Sequence, residues 1–334
     1  MLHQAPQGET RHRVAWLAAL LVAIAALCFL ASAAPSQARA AVAPISTADP
    51  TPIEARVSIT VTSLSKLNLE QGVFQAIFYL GITCSEPCQA ADWDLVNANE
   101  YTSELTAVIG PTSWWRVSGT FVFQPDLRLF PFDTQTLPII IEHEDLSLEK
   151  LIYIPDQQTS EVSSLIGVPG WLIEPFSLTT TEHFLVGFGE TYSSVNFELP
   201  VGRSTVASLT KYYIPLLIFI ILGAATLFLG RNDIQLRTAG TALVGLTIFY
   251  LFTSGGVGAV GYLTVWDISV LVAYISLGLV LLSGIIGAYL YHEHKFDGAE
   301  GEALNKRIRF GFLWGVILLV AVSAVAITLV AVLT

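Results

Sequence analysis

The residues best suited to do chemistry in this chain lie in two short segments. Glu142, His143, Glu144 and Asp145 form one run of titratable side chains, a set that suits binding of a divalent cation or of protons. A solvated acidic turn is the simpler interpretation, and we favour it. The sequence has no glycine-rich phosphate loop after a strand, no His-Glu-x-x-His and no Gly-x-Ser-x-Gly. Without a nucleophile, a base and a group to orient them, an enzyme is the least favoured class.

The second segment holds two cysteines, Cys84 and Cys88, separated by Ser-Glu-Pro. An exported domain is in an oxidising compartment, so we predict a disulfide that closes a small loop. A zinc site needs further ligands close by, and the sequence shows none there. The remaining cysteine, Cys28, lies in an apolar N-terminal run. We therefore expect no metal and no cofactor.

Composition places these segments in a membrane protein. Hydrophobic residues make up 53% of the 334 residues and charged residues 13%, against about 25% charged in soluble domains. A soluble cytoplasmic enzyme and a nucleic-acid-binding protein are therefore disfavoured. Residues 41–203 carry 6 Lys and Arg against 20 Asp and Glu, a net charge of −14, whereas residues 204–334 are nearly neutral. This division predicts an acidic, water-exposed domain followed by a membrane domain.

The N-terminal segment resembles a signal for export. Arg11 and Arg13 precede an apolar run over 14–34, and Ala38-Arg39-Ala40 fits the small-x-small rule for cleavage. We predict a signal peptide over residues 1–40. A retained anchor helix is the alternative, since the apolar run is long enough to span a bilayer. Either interpretation places residues 41–203 outside the cytoplasm.

The exported region, 41–203, is predicted to be an antiparallel, immunoglobulin-like β-sandwich. Alternating or β-rich runs cover 56–62, 74–80, 117–123, 137–142, 184–188 and 194–199, with turn residues between them. No sustained helical periodicity precedes residue 204. The fold class is therefore an all-β sandwich followed by an all-α membrane domain.

Four transmembrane spans are predicted in the region 204–334, at about 212–229, 236–254, 268–291 and 310–334. Lys295, Lys306, Arg307 and Arg309 lie between the third and fourth spans, which places that loop in the cytoplasm. The sandwich and the C-terminus are then both outside, in a multi-pass protein of the cell (inner) membrane.

The segment 127–137, Leu-Arg-Leu-Phe-Pro-Phe-Asp-Thr-Gln-Thr-Leu, resembles the signature loop of pentameric ligand-gated ion channels, the Cys-loop receptor superfamily. We call it the signature loop. Phe123 and Leu137 stand where animal members carry two cysteines, as in the bacterial branch. Further similarities occur in family order over 53–334: GVFQAIFYL at 72–80, DLVNA at 94–98, PGW at 169–171, KYYIP at 211–215 and YLT at 262–264 followed by Asp267.

The resemblance implies a homopentamer in a lipid bilayer, with the second span lining a pore for inorganic ions. Matching from Thr253-Ser254 backwards gives one helical stripe of pore-lining residues: Asp233, Arg237, Thr241, Val244, Ile248 and Leu251. Rings of Val244, Ile248 and Leu251 form an apolar constriction that closes by dewetting. The alternative is that these are ordinary packing residues of a helix bundle.

Two charged residues of the stripe bear on ion selectivity. A ring of Asp233 favours cations and a ring of Arg237 favours anions, and at a spacing of four residues the two can pair with each other. The charge of −14 on the exported region concentrates cations near the pore. We therefore predict cation selectivity.

The resemblance also implies a ligand site between subunits and a coupling site near the membrane. The ligand candidates are aromatic residues, a type that suits cationic amines: Tyr153, Phe184, Phe188 and Tyr192 from one subunit, Tyr79 and Trp115 from its neighbour. The ligand is a small molecule or protons. The coupling residues are Phe130, Pro131, Phe132, Asp133 and Arg203, and we predict a bidentate, partly buried pair between Asp133 and Arg203.

Two other classes stay open from the sequence. A non-conducting periplasmic sensor would use the sandwich to bind a ligand and the helices as an anchor. A subunit that works only in a hetero-oligomeric receptor is the second possibility. No nucleic-acid partner is expected.

Overall fold

The computed structural model describes residues 52–84, 92–255, 258, 260–292 and 298–333. The predicted signal peptide and Cys88 lie outside these residues. Those described belong to one compact unit, Ala48–Thr334.

The first part of this unit consists of eleven strands: β1 (Ile53–Asn68), β2 (Val73–Cys84), β3 (Trp93–Leu95), β4 (Ala98–Ile109), β5 (Thr112–Val122), β6 (Thr134–His143), β7 (Leu151–Pro155), β8 (Glu161–Val162), β9 (Trp171–Ile173), β10 (Ser177–Leu185) and β11 (Glu190–Arg203). One sheet has the order β4-β5-β2-β1-β7, with β8 also paired to β1. The other has the order β10-β11-β6-β3, with β9 also paired to β11.

The predicted sandwich is confirmed, and period-two alternation accounts for its core. Phe74, Phe78, Ile141 and Phe197 all point inward and are buried, because successive side chains of a strand face opposite sides of the sheet. The pairing is not purely antiparallel, since the short strands β7 and β8 run parallel to β1.

Strand β4 shows no alternation and was not predicted. It is an edge strand whose residues are almost all exposed, so neither of its faces carries an apolar pattern. The predicted strand at 184–188 is wrong in its second half, because Val186–Gly189 form the turn between β10 and β11.

Four helices follow, each long and apolar enough to cross a membrane: α1 (Thr205–Phe228), α2 (Asn232–Ser254), α3 (Val265–His292) and α4 (Gly298–Leu333). Helix α1 contains a π-helical turn over Leu209–Tyr213. Pro215 follows this turn and has no N–H to donate to the carbonyl four residues back, which accounts for the irregularity.

The helices begin earlier than predicted, because charge-free runs omit their polar first turns. Lys211, Asp233 and Asp267 are all helical, although the predicted spans begin after each of them. The span in α3 is 44% buried and the one in α4 is 6% buried, so α3 is the central helix of the four.

Candidate functional site

The six residues predicted to line a pore share one exposed face of α2. Val244, Ile248 and Leu251 are 62%, 50% and 65% exposed, and Asp233, Arg237 and Thr241 are also exposed. The opposite face, with Gln235, Ala239 and Leu246, is buried against the rest of the chain. All six side chains of the predicted stripe are therefore exposed. The stripe is polar at the Asp233 end and apolar at the Leu251 end.

Asp233 does not pair with Arg237 in the described residues, although their spacing of four residues would allow it. Asp233 pairs with Arg231, whose Nε and Nη2 atoms lie 3.3 and 3.1 Å from the two carboxylate oxygens. Arg231 precedes the helix with an extended backbone (φ −112°, ψ 108°), and it forms this pair across only two residues. Within the described residues Arg237 forms no ion pair.

The first turn of α3 lies against the signature loop. Thr264 and Asp267 form a reciprocal cap: the Asp267 N–H donates to Thr264 Oγ1 at 3.1 Å, and the Thr264 N–H donates to Asp267 Oδ2 at 2.9 Å. This Thr-x-x-Asp spacing is a sequence signal for a helix start. Two N–H groups of the turn remain, since helix starts leave four backbone donors without internal partners.

The signature loop accepts both of those remaining hydrogen bonds. The Val265 N–H donates to the Arg128 carbonyl at 2.9 Å, and the Trp266 N–H donates to the Phe130 carbonyl at 3.0 Å. On the other side of the loop the Ser208 hydroxyl of α1 donates to the Pro131 carbonyl at 2.6 Å. The loop therefore contributes main-chain acceptors to the start of α3 and to α1.

Aromatic rings extend this contact into the membrane domain. Phe130 packs edge-on against Tyr212 at 5.2 Å between ring centres, and Phe132 stacks on Tyr213 at 5.4 Å. Both tyrosines pack on Trp266, which is 1% exposed. Such aromatic pairs contribute about 0.5–1.5 kcal/mol each beyond the area that they bury.

Asp133 and Arg203 meet, as predicted, where β11 ends and α1 begins. Arg203 Nε lies 2.8 Å from Asp133 Oδ1, and the Asp133 side chain is 2% exposed. The contact is not bidentate, because the second carboxylate oxygen accepts from Gln135 Nε2 at 2.6 Å. The guanidinium instead lies over two rings, 4.3 Å from the centre of Trp171 and 4.9 Å from that of Phe130.

The turn between β1 and β2 makes a further contact with the membrane domain. A Cβ atom placed on Gly258, in the link between α2 and α3, would lie 3.0 Å from Glu70 Cγ. Gly258 has φ +74°, a backbone conformation that glycine adopts more readily than other residues. A cavity of about 430 Å³ lies beside this link, lined by Phe130, Tyr250, Tyr262, Trp266 and Tyr274 among others.

The ligand candidates do not form one surface. Phe184 and Phe188 are 58% and 75% exposed at the β10–β11 hairpin. Trp115 is buried and packs on Trp93. Tyr79 pairs with Arg116 and Leu80 with Trp115, so Tyr79 and Trp115 point to opposite faces of their sheet. The prediction that these two contact one ligand together is therefore wrong.

Tyr153 is also closed off from solvent. It is 1% exposed, and its hydroxyl is buried without a hydrogen-bond partner among the described residues. Burial, followed by the charges of Asp92 and Glu142, raises the pKa of this phenol. A ligand cannot reach Tyr153 without opening the core. Tyr153 and Trp115 are both buried, so neither belongs to the surface on which a ligand could bind.

Polar residues beside the hairpin form a cluster that was not predicted from the sequence as a group. Glu142 Oε2 accepts from the Ser194 hydroxyl at 2.7 Å and lies 3.1 Å from His183 Nδ1. Tyr192 is buried next to them, its hydroxyl donates to Glu190 at 3.4 Å, and burial together with Glu190 raises its pKa. These residues come from three neighbouring strands, so only the strand pairing brings them together.

The solvated acidic turn favoured for residues 142–145 is wrong for its first half. Glu142 and His143 are 7% and 3% exposed. His143 Nδ1 accepts from the N–H groups of Asp145 and Leu146, both at 3.1 Å, so His143 shapes the turn. Glu144 and Asp145 are exposed. In the described part of the chain no group of three or more potential ligands is placed to hold a metal ion.

One of the two cysteines of the predicted disulfide is among the described residues. Cys84, the last residue of β2, is disulfide-bonded, whereas Cys88 lies outside the described residues. Tyr101 of β4 donates to Asp94 of β3 at 2.9 Å, and burial with this hydrogen bond raises the pKa of Tyr101 to about 12.

No protein-family model matches this chain, and no curated protein matches it with significant similarity.

Proposed function

We propose that the chain is a subunit of a ligand-gated ion channel of the pentameric type that its sequence resembles. The observation that carries the proposal is the exposed stripe on α2. A charged Arg237 and the hydroxyl of Thr241 lie on the open face of a membrane span. Arg237 lies in the second turn of this span, and charged residues within membrane spans almost always face a bundle interior or a water-filled cavity, so such a face favours water over lipid.

A single helix cannot enclose water, so a water-filled axis requires several copies. The family resemblance gives the number as five, and the polar end of α2 then lines a common pore. Farther along the stripe, Val244, Ile248 and Leu251 form three apolar rings. A constriction of this kind blocks ions by dewetting until the helices separate.

The proposed sensing site is the surface around the β10–β11 hairpin. Phe184 and Phe188 are exposed there, and the contact between His183 and Glu142 lies on the adjoining strands. The ligand class is a small cationic molecule or protons, since aromatic faces attract cations and imidazole and carboxylate groups bind protons. A pentamer would bring a neighbouring subunit against this surface.

The proposed signal path runs along one strand. Strand β11 extends from the hairpin at Glu190 to Arg203, and Arg203 contacts the signature loop through Asp133. The loop in turn accepts two hydrogen bonds from the first turn of α3. A displacement of the hairpin would therefore reach the helices through a continuous series of packed elements.

The proposed topology places the sandwich outside the cytoplasm of a bacterial inner membrane. Four spans return the chain to the side from which it started, so the C-terminus would also lie outside. Lys306, Arg307 and Arg309 at the start of α4 would then face the cytoplasm.

Reconstitution tests the proposal directly. Purified protein in planar bilayers should conduct in response to a pH step or to one of a panel of organic amines, and its mass in detergent should equal five copies. His183→Gln and Phe184→Ala should weaken the response, whereas Leu165→Ala, a change at an exposed loop residue, should not. A stable monomer or dimer, or silence in wild type and in gate variants alike, would argue for a non-conducting sensor.

A further inference from the structure

We infer that the pore selects anions, with Arg237 as the residue that sets the sign of the permeating ion. This inference rests on the proposed function and replaces the sequence-based expectation of cation selectivity. In the sequence-based expectation, the charges of Asp233 and Arg237 either neutralise each other as a pair or have opposite effects on which ion enters. The structure gives Asp233 a different partner, and the balance of charge on the stripe changes accordingly.

The charge of Asp233 is compensated locally. Arg231 holds both carboxylate oxygens, and the two side chains are 66% and 54% exposed, so the pair lies in water at the mouth of the stripe. An exposed pair of this kind adds little to stability. It does remove the net negative charge that a ring of Asp233 would otherwise present to an entering cation.

Arg237 is the uncompensated charge. It lies one turn farther along the same exposed face, and among the described residues no carboxylate pairs with it. Each subunit then contributes a net charge of one positive unit on the side of Asp233 that leads to the apolar part of the stripe. Rings of arginine or lysine are the side-chain arrangement that selects anions in pores.

Thr241 opposes this effect only weakly. Its hydroxyl donates to the Arg237 main-chain carbonyl at 2.9 Å, so it offers the pore its oxygen lone pairs. These carry a partial negative charge, whereas the adjacent guanidinium carries a full positive charge with five N–H donors. An anion that loses hydration water here therefore finds replacement donors from Arg237.

The acidic sandwich is too far away to reverse the sign. Arg237 and Ser254 are separated by 17 residues of α2, which is about 26 Å along the helix axis. The Debye length at physiological ionic strength is about 8 Å, so roughly three screening lengths separate the ring from the sandwich. The exterior charge can slow the entry of anions, but it does not decide which ion passes the ring.

The zero-current potential in a tenfold NaCl gradient tests the inference. The Ile248→Ser background supplies open channels without a known ligand, because a polar ring hydrates more readily. With Arg237 intact the potential should lie toward the chloride equilibrium value. Arg237→Gln should move it toward the sodium value, and Arg231→Gln should move it the same way by releasing Asp233. Arg237→Lys and the distant control Lys306→Gln should leave it in place.

Two outcomes overturn the inference while leaving the channel function standing. One is a current that reverses near the sodium value with Arg237 intact. The other is a zero-current potential that Arg237→Gln does not move. Absence of current in every variant contradicts the channel function itself, and the inference with it.

Discussion

Replacing Arg203 should destabilise the fold more than replacing Asp133, although the two residues form one ion pair. Removing one member of a buried ion pair costs about 3–5 kcal/mol, because the other is left charged and unpaired. The two cases differ here. Arg203→Gln leaves the Asp133 carboxylate, 2% exposed, with the Gln135 amide as its one side-chain partner among the described residues. This change should lie at the upper end of the range.

Asp133→Asn leaves the cation in better surroundings. The Arg203 side chain is 18% exposed and lies over the rings of Trp171 and Phe130. Cation–π contacts contribute about 0.5–2 kcal/mol, so part of the lost attraction is replaced. We therefore expect Asp133→Asn to lower the unfolding temperature less than Arg203→Gln. The double variant should be less unstable than the sum of the two, with a coupling of about 0.5–3 kcal/mol.

Thermal unfolding of the purified protein measures the effect on stability, and currents measure the effect on coupling. If the pair transmits the signal, either single change should abolish opening by the activating ligand or pH step, while Ile248→Ser restores current in each. If the pair only holds the fold, surviving channels should respond normally. Equal destabilisation by the two single changes, or strictly additive effects, would refute the reasoning from burial.

Three further predictions test other parts of the molecule. Val244→Ser and Ile248→Ser should each raise the resting conductance, whereas Leu318→Ser on the exposed side of α4 should not. An unchanged resting conductance in both α2 variants would mean that the pore face is misassigned. Thr264→Ala should cost about 0.5–2 kcal/mol in unfolding experiments, since it removes the cap at the start of α3. Burial and the hydrogen bond to Asp94 raise the Tyr101 pKa to about 12, so the neutral phenol stabilises the fold below about pH 10, and this contribution is lost as pH rises through about 12. The unfolding-temperature difference between wild type and Tyr101→Phe should therefore shrink over that interval.

The sequence predicted those features that depend on local periodicity. Alternation in β2 and β6 identified strands, and charge-free runs identified the four spans. The exposed stripe of α2 follows from helical spacing alone once one residue is fixed. The contact of Asp133 with Arg203, 70 residues apart, came from the family resemblance and not from periodicity.

Features that depend on strand pairing could not be predicted. By alternation, Glu142 belongs on the outer face of β6, opposite Ile141, and a solvated residue was the natural expectation. It is buried because Ser194 and His183 lie beside it, 52 and 41 residues away in the chain. The grouping of Tyr79 with Trp115 failed for a related reason, since their opposite orientations follow from the register of β2 and β5.

The start of α3 gives a physical reason why the signature loop suits a coupling role. A helix start needs acceptors for its first N–H groups, and water normally supplies them. Here the carbonyls of Arg128 and Phe130 do so, and Trp266 beside them is buried under Tyr212 and Tyr213. If the loop moves away, two donors lose their acceptors, and each hydrogen bond of this kind contributes about 0.5–1.5 kcal/mol. The lower-energy response is for α3 to move with the loop. Asp267, which also accepts from Tyr250 at 2.9 Å, would then carry that movement to the end of α2.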